Sequence, residues 1–414
     1  MSVESLEKKY SNLIVILLLM FPILINSVKI FGNLILLILA LLGTYIAITE
    51  KTNPFKVKQL QIFSWLTVGY FGTMLLSILI ADGLSAEFQH LGRILHFLLA
   101  PLVALTMLQV SLPLNKLLFS IKLGLIVIGV ITTVQFYYLF GEGRVSGMIN
   151  ANIFGDIAVA MLFLSVVQIF RETPKEKTFT FVSMAFGLVA IILSGSRGSW
   201  LSFLILSVVY IGLIYRPFLK NNNNGKISLV LLFSVLSVFI ATQTNINQRV
   251  SLANTEMQSW LSGKNLNDSN GLRLQMWEAG LMAAKQSPWI GYGYRNANQI
   301  TSEYAPNNKQ TIKNKSHLHN EYITTIVSAG IIGLLMLLTL LFFPIIVFYR
   351  KLKNKETYYY ASMGILLCAS YATFSFTHMA FGEEHINAFY VFFLGFLFLN
   401  IERNNQHIKQ GKSI

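Results

Sequence analysis

The chain has 414 residues, of which 54% are hydrophobic and only 12% carry a formal charge. Soluble globular proteins carry about 25% charged residues, so this composition argues against a soluble protein and indicates lipid as the main solvent. The single cysteine, Cys368, excludes a disulfide framework and a thiolate metal site. The net charge of +14 would suit a nucleic-acid partner if the basic residues were gathered in one patch.

Apolar runs recur along the chain, and most have the length of about 20 residues that a membrane-spanning helix needs. We predict an all-α polytopic membrane protein with about twelve spans and one large outer helical loop between spans 9 and 10. Spans 1–9 fall in residues 1–243, the loop in 244–319, and spans 10–12 with a short tail in 320–414. The predicted runs are 11–27, 30–49, 60–81, 91–110, 117–140, 152–170, 178–194, 199–215, 227–243, 320–349, 357–377 and 386–401.

The basic residues follow this topology. If the N-terminus is cytoplasmic, most of the 32 lysines and arginines fall in predicted cytoplasmic segments, as the positive-inside rule requires. We therefore predict that both termini are cytoplasmic and that the loop lies on the outer side. The positive charge is then a consequence of topology, and nucleic acid is not an expected partner.

Two arginines near the predicted outer ends of early spans are weaker candidates for function. Arg93 shares a helix face with His96, and Arg144 lies in the fifth outer connection. Ionisable groups at membrane depth are candidates for function, although both arginines also fit the membrane interface. Glu383 and Glu384, before the last span, are similar cases whose roles stay open.

Arg197 lies at the outer end of the seventh run, in the segment Ser-Gly-Ser-Arg-Gly-Ser-Trp at 194–200. Small residues on both sides allow a bulky anion to approach the backbone, and a guanidinium can bind phosphate oxygens in a bidentate manner. The alternative is an arginine whose stem lies along apolar surface and whose charge reaches water.

The loop contains an amphipathic helix, predicted over 272–286 and ended by Ser287 and Pro288. Arg273 and Trp277 are four residues apart and share one face of this helix. They form either a cation–π pair that braces the helix or a site that binds an anion while the ring stacks on a sugar.

His317 and His319 come just before the run at 320–349. Two histidines with no neighbouring cysteine or carboxylate cluster are too few ligands for zinc, so we predict no metal site. His319 is either a helix-capping or interface histidine, or a general base. The partial positive charge of a helix N-terminus disfavours a protonated imidazole, and a neutral imidazole can accept a proton from a hydroxyl.

Three motifs thus stand in order: the segment around Arg197, Leu-Arg273-x-x-x-Trp277 with Gly291-x-Gly293 downstream, and His317-Leu-His319-Asn. Together with about twelve spans and a large outer loop before span 10, they resemble the bacterial O-antigen ligase and O-antigen polymerase family. The resemblance covers most of the chain, and it is more specific for the superfamily than for the individual member.

The resemblance implies an inverting, metal-independent glycosyltransferase of the bacterial inner membrane with no cofactor. Such a ligase moves O-antigen polysaccharide from undecaprenyl diphosphate to a sugar hydroxyl of lipid A–core at the periplasmic face, in lipopolysaccharide biosynthesis. Carried over to this sequence, Arg197 and Arg273 hold the donor diphosphate and His319 acts on the acceptor hydroxyl. Trp277 and His317 are implied as supporting residues, and Arg93 and Arg144 are further substrate-binding candidates.

Two other functions stay open at this point. A polysaccharide polymerase of the same superfamily often has two sizeable outer loops, whereas one loop dominates here, which favours the ligase. A lipid-linked sugar transporter or flippase would need polar residues at mid-membrane depth, but here the distinctive polar residues gather at the outer ends of spans. The absence of an internal repeat also disfavours transporters built from duplicated halves.

Overall fold

The fold is described from a computed structural model, which describes residues 3–81, 88–139, 144–215, 251, 269–315 and 317–409. Every regular element in these ranges is a helix. The helices are α1 (Val3–Leu24), α2 (Phe31–Thr49), α3 (Gln61–Ala81), α4 (Phe88–Leu108), α5 (Leu114–Val134), α6 (Ala151–Ser165), α7 (Pro174–Leu193), α8 (Arg197–Tyr210), α9 (Ser269–Gln286), α10 (Tyr294–Tyr304), α11 (Lys309–Lys313), α12 (Glu321–Lys351), α13 (Tyr358–Thr377) and α14 (Glu384–Lys409).

Nine helices in the described part of the chain are long and apolar enough to cross a membrane. They are α2–α8, α12 and α14, and each coincides with a predicted run. The apolar part of α1, Tyr10–Leu24, is shorter, and α13, which matches the run at 357–377, is not among the nine. The predicted span at 227–243 lies outside the described residues. The structure therefore confirms an all-helical chain consistent with a polytopic membrane protein, whereas the count of twelve stays a prediction.

Two helices form the centre of the bundle. In α14, 94% of the apolar stretch is buried inside the protein, and in α6 the share is 83%. Phe21 of α1 stacks on Phe392 of α14 with ring centroids 4.0 Å apart. The surrounding helices instead expose large apolar side chains, such as Ile48 (71%) and Val208 (70%). Outward apolar faces around a packed interior are what a lipid environment requires.

One long helix is interrupted in its N-terminal part. Gly330 has φ +63° and ψ −163°, which breaks α12 into two helical parts. The segment at 288–293 lies against this break, and its Tyr292 and Gly293 amides donate to the carbonyls of Val327 and Ser328 at 2.9 and 2.8 Å. The backbone groups released by the break are thereby satisfied by protein, as membrane depth demands. The segment at 288–293 is thus fixed to α12 by backbone hydrogen bonds.

Replacement of Gly330 by alanine should lower stability strongly. A Cβ there would lie 2.3 Å from the backbone carbon and oxygen of Trp289, and the positive φ is strained for any side chain. Such backbone strain alone costs about 1–3 kcal/mol. The melting temperature of the detergent-purified protein should fall, while Gly72→Ala, which meets no atom within 4 Å, should leave it near wild type. Equal melting temperatures for the two variants would contradict the role of the break.

A small cap lies over the first part of α12. Its helices α9, α10 and α11 share a second apolar cluster with the N-terminal part of α12, including Met276, Ala297, Ile312 and Val327. The predicted helix at 272–286 is confirmed in type and position as α9. The start of the predicted loop, from residue 244, is mostly outside the described residues, so its boundaries stay a prediction.

Candidate functional site

Three histidines meet where the cap joins the bundle. His317 and His319 precede α12, and His378 follows α13. Ring nitrogens of all three lie within 4.8 Å of one another. The His317 ring centroid is 4.4 Å from that of His319 and 5.2 Å from that of His378. The structure therefore joins both predicted histidines to a third that the sequence analysis did not select.

Local packing fixes the segment that carries the two neighbouring histidines. Leu318, which lies between them in the chain, is fully buried in the cap cluster. The indole nitrogen of Trp277 donates to the Leu318 carbonyl at 3.0 Å. Asn320 begins α12, with its side-chain oxygen accepting from the Ile323 amide at 3.1 Å. Trp277 therefore holds the histidine segment in place through this hydrogen bond.

His319 has an unusual backbone. Its φ is +53°, in the left-handed region that most side chains avoid. Its Nδ1 is buried and has no hydrogen-bond partner among the described residues. Because Asn320 is the helix-capping residue, the capping interpretation of His319 is wrong. Strained backbone at a ring with an unused nitrogen is typical of a functional position.

Positive charges act on the three histidines. Burial, with the positive charges of Arg273 and Lys315 as further causes, lowers the pKa of His319 to about 4 from 6.5. Burial is also the main cause that lowers the pKa of His378 to about 3, followed by the charges of His319 and Arg273. The three imidazoles are consequently neutral at physiological pH, beside fixed positive charge.

The charge of Arg93 also acts on the histidine cluster. Burial first, then the neighbouring histidines, then Arg273 and Arg93, lower the pKa of His317 to about 2. The Arg93 carbonyl, at the start of α4, accepts from the Asn387 side chain at 2.8 Å. Burial raises the pKa of Glu383, and the Arg93 charge opposes that rise. The charges of Arg93 and Arg273 thus both act on His317, and the charge of Arg273 also acts on His319.

The Arg197 segment approaches the cluster from α8. Ser196 caps α8, and Arg197 is its first residue. A Cβ on Gly198 would lie 2.4 Å from the Thr377 hydroxyl, so the first turn of α8 touches the residue before His378. The small residue that the sequence places after Arg197 thus permits a close contact between two helix ends.

Arg144 supports the segment around Arg197 through hydrogen bonds. Its Nε donates to the Ser194 carbonyl at 3.1 Å, and its Nη2 donates to the Asn152 side chain at 2.7 Å. Beneath the segment, the Ser199 hydroxyl donates to Asp156 at 2.7 Å. These three hydrogen bonds fix the start of α8, where Arg197 lies.

Sequence reasoning did not select two buried polar residues near the site. His378 ends an apolar run as a lone histidine, which most often is a satisfied core residue. Glu321 is fully buried, and its carboxylate accepts from the Tyr294 hydroxyl at 3.3 Å and the Phe381 amide at 3.0 Å. Glu321 therefore ties α10 and the segment after α13 to the start of α12, which fixes the histidine segment next to it.

A divalent metal fits these surroundings poorly. Three imidazoles are a ligand set that zinc uses in catalytic sites. Metal-ligating histidines, however, usually donate their second ring N–H to a carbonyl or carboxylate, and neither ring nitrogen of His378 has such a partner among the described residues. The charges of Arg273 and Lys315 would also repel a cation. The arrangement is better suited to accepting a proton next to a bound anion.

Comparisons with known proteins found one similar protein and one matching family. The chain is 26% identical over 357 residues to an uncharacterized protein of Haemophilus influenzae, covering 84% of this chain and 87% of that protein. Residues 182–338 match the model of a family described as O-antigen ligase, and this stretch contains Arg197, Arg273, His317 and His319. The match confirms the resemblance seen in the sequence and supports the membership of this chain in the O-antigen ligase family.

Proposed function

We propose that the protein is an O-antigen ligase. It transfers O-antigen polysaccharide from undecaprenyl diphosphate to a sugar hydroxyl of lipid A–core at the periplasmic face of the inner membrane. The family match supports a ligase or polymerase of glycosyltransferase type. The observation that carries the proposal is the meeting of neutral imidazoles with Arg273 and Arg93 where the cap joins the bundle.

His319 is proposed as the general base. The acceptor hydroxyl oxygen attacks the anomeric carbon of the donor sugar and gives its proton to an imidazole nitrogen of His319. An imidazole that is already neutral can take this proton at physiological pH. Arg273, whose charge helps to keep His319 neutral, is proposed to hold a substrate anion beside it. Attack and bond breaking in one displacement invert the configuration at that carbon.

The arginines are proposed to bind the leaving group. As the bond between the anomeric carbon and the diphosphate oxygen breaks, undecaprenyl diphosphate gains negative charge. Arg273 and Arg197 stabilise that charge more in the transition state than in the ground state, which is the condition for catalysis. Arg93 adds positive charge from the α4 side. Arg144 acts indirectly, because it holds the Ser194 carbonyl of the loop before Arg197.

The position of the site suits two lipid-linked substrates. The cluster lies at the ends of α12 and α13, between the bundle and the cap, so both lipids can enter sideways from the membrane. The apolar cluster of the cap then covers the reacting sugars and limits hydrolysis. The cap is therefore a lid on a site begun by the spans.

Transfer should show an unusual pH dependence. Because the His319 pKa is lowered to about 4, the initial rate should stay nearly constant from about pH 8 to about pH 5 and fall only as pH approaches 4. An imidazole with the ordinary pKa near 6.5 would lose its activity as a base around that pH. An inflection near 6.5 in the wild type, absent in His319 variants, would contradict the neutral, buried base.

The test of function is transfer in reconstituted vesicles. Undecaprenyl-diphosphate-linked O-antigen and purified lipid A–core are supplied, and linked lipopolysaccharide is followed by gel electrophoresis. The proposal predicts transfer to lipid A–core, unchanged by EDTA. Elongation of the donor without use of lipid A–core would indicate a polymerase, and translocation without bond formation a transporter. Dependence on an added divalent metal would overturn the mechanism given above.

A further inference from the structure

A second polar groove lies at the opposite end of the bundle. α4 carries Arg93 near its start, and α5 begins shortly after α4 ends, so the first turns of α5 are far from the histidine cluster. There, the end of the α6 span and the start of α7 enclose a groove of about 350 Å³ with α5. Residues lining it include Asn115, Phe119, Lys122, Arg171, Lys175 and Phe179.

The carboxylates of this groove are already engaged. Lys122 forms an ion pair with Glu172, and the two side chains are only 7% and 8% exposed. Glu172 also accepts from the Thr180 hydroxyl at 2.6 Å. Glu176 accepts from the amide and hydroxyl of Thr173 and completes the capping box that begins α7. The acidic residues therefore serve the fold and are poorly placed to compete for the remaining cations.

Two cations of the groove stay accessible. Arg171 and Lys175 are exposed, and Arg171 lies over the Tyr359 ring, with 5.0 Å between its central carbon and the ring centroid. Among the described residues, no carboxylate oxygen lies within 4 Å of the charged group of Arg171 or Lys175. One N–H group of Arg171 donates to the Tyr359 hydroxyl, and a guanidinium has five, so others remain for phosphate oxygens. The Asn115 side chain adds an amide donor at the rim.

One part of the groove rim is aromatic. Phe119 and Phe179 stack with centroids 5.2 Å apart, and Phe119 is 56% exposed. A ligand seated on the cations would therefore meet apolar surface on one side. A free phosphate has nothing to place there, whereas a phospholipid places its acyl chains against these rings.

We propose that this groove binds the headgroup of an anionic phospholipid, with the phosphate on Arg171 and Lys175 and the acyl chains along Phe119 and Phe179. The predicted topology puts this end at the cytoplasmic face, whose leaflet is anionic, and basic pockets between spans on that side are suited to such lipids. The site is separate from the proposed transfer site and does not depend on it.

Lipid retention tests the proposal. The full chain is reconstituted in vesicles of phosphatidylglycerol and phosphatidylcholine with identical acyl chains, extracted in mild detergent, and the retained lipids are counted by native mass spectrometry. Wild type should retain phosphatidylglycerol in preference, and Arg171→Gln with Lys175→Gln should reduce that preference by roughly tenfold or more. The matched control, Lys116→Gln with Lys177→Gln, removes the same charge from predicted cytoplasmic positions that do not line the groove and should retain wild-type preference.

Three outcomes would overturn the proposal. Equal loss in both double variants would mean that general surface charge attracts the lipid. An unchanged preference in the groove variant would mean that the lipid binds elsewhere. Displacement of the retained lipid by millimolar inorganic phosphate would mean that the groove is a phosphate site without selectivity for lipid. Monodisperse elution of each variant confirms that folding is intact.

Discussion

His319→Asn should reduce polysaccharide transfer by roughly 10²–10⁴-fold, the range that a positioned general base contributes. Asparagine is the informative replacement because His319 has φ +53°, and asparagine tolerates the left-handed region far better than alanine. His319→Ala should be equally inactive, but backbone strain would complicate its interpretation. The measurement is the initial rate in the vesicle assay, normalised to the amount of folded protein.

The control for this variant is Lys313→Asn, an exposed position of the same cap, which should transfer at the wild-type rate. His319→Asn should also keep its affinity for the donor, because the arginines are untouched. A rate near wild type in His319→Asn would remove His319 from the mechanism. The buried Glu321 and the nearby His378 would then be the next candidates for the base.

Arg273→Ala should lower kcat by roughly 10²–10³-fold, as expected when one group that stabilises a developing anion is removed. Arg273→Lys should recover only part of that loss, because an ammonium group cannot bind two phosphate oxygens in the bidentate geometry of a guanidinium. Arg197→Ala should lose transfer to a similar extent. Removing the Arg273 charge should also move the His319 pKa upward, since that charge helps to lower it.

The control for Arg273 is Arg295→Ala, an exposed arginine of α10 in the same cap. It should keep both the rate and the pH profile. If Arg273→Ala transferred at the wild-type rate with an unchanged profile, the guanidinium would serve only to brace the cap. Protein amount and melting temperature must be compared in each case, so that a loss of folded protein is not mistaken for a loss of catalysis.

Patterns with strong local causes were visible in the sequence. The apolar runs predicted the spans because hydrocarbon imposes a length and a composition on every helix that crosses it. The spacing of Arg273 and Trp277 predicted a shared face on α9, and the position of His319 before a long run predicted a helix start next to it. All three features are decided within a few residues, so periodicity and end signals were sufficient.

Features that depend on distant packing were not predictable. His378 joins His317 only because the end of α13 lies beside the start of α12, although the predicted topology already placed the end of the run at 357–377 on the same side. The sequence did not predict the break at Gly330, because a glycine within an apolar run is common in membrane spans. Its partner, the segment at 288–293, contacts it only through tertiary structure.

The most direct test of the central claim is an electron cryomicroscopy structure of the protein with undecaprenyl-diphosphate-linked oligosaccharide. The account predicts the diphosphate within about 4 Å of the Arg273 and Arg197 guanidinium groups, the range of an ion pair. It also predicts the anomeric carbon facing His319. A diphosphate bound away from both arginines, or a first sugar that lies far from the three histidines, would contradict it.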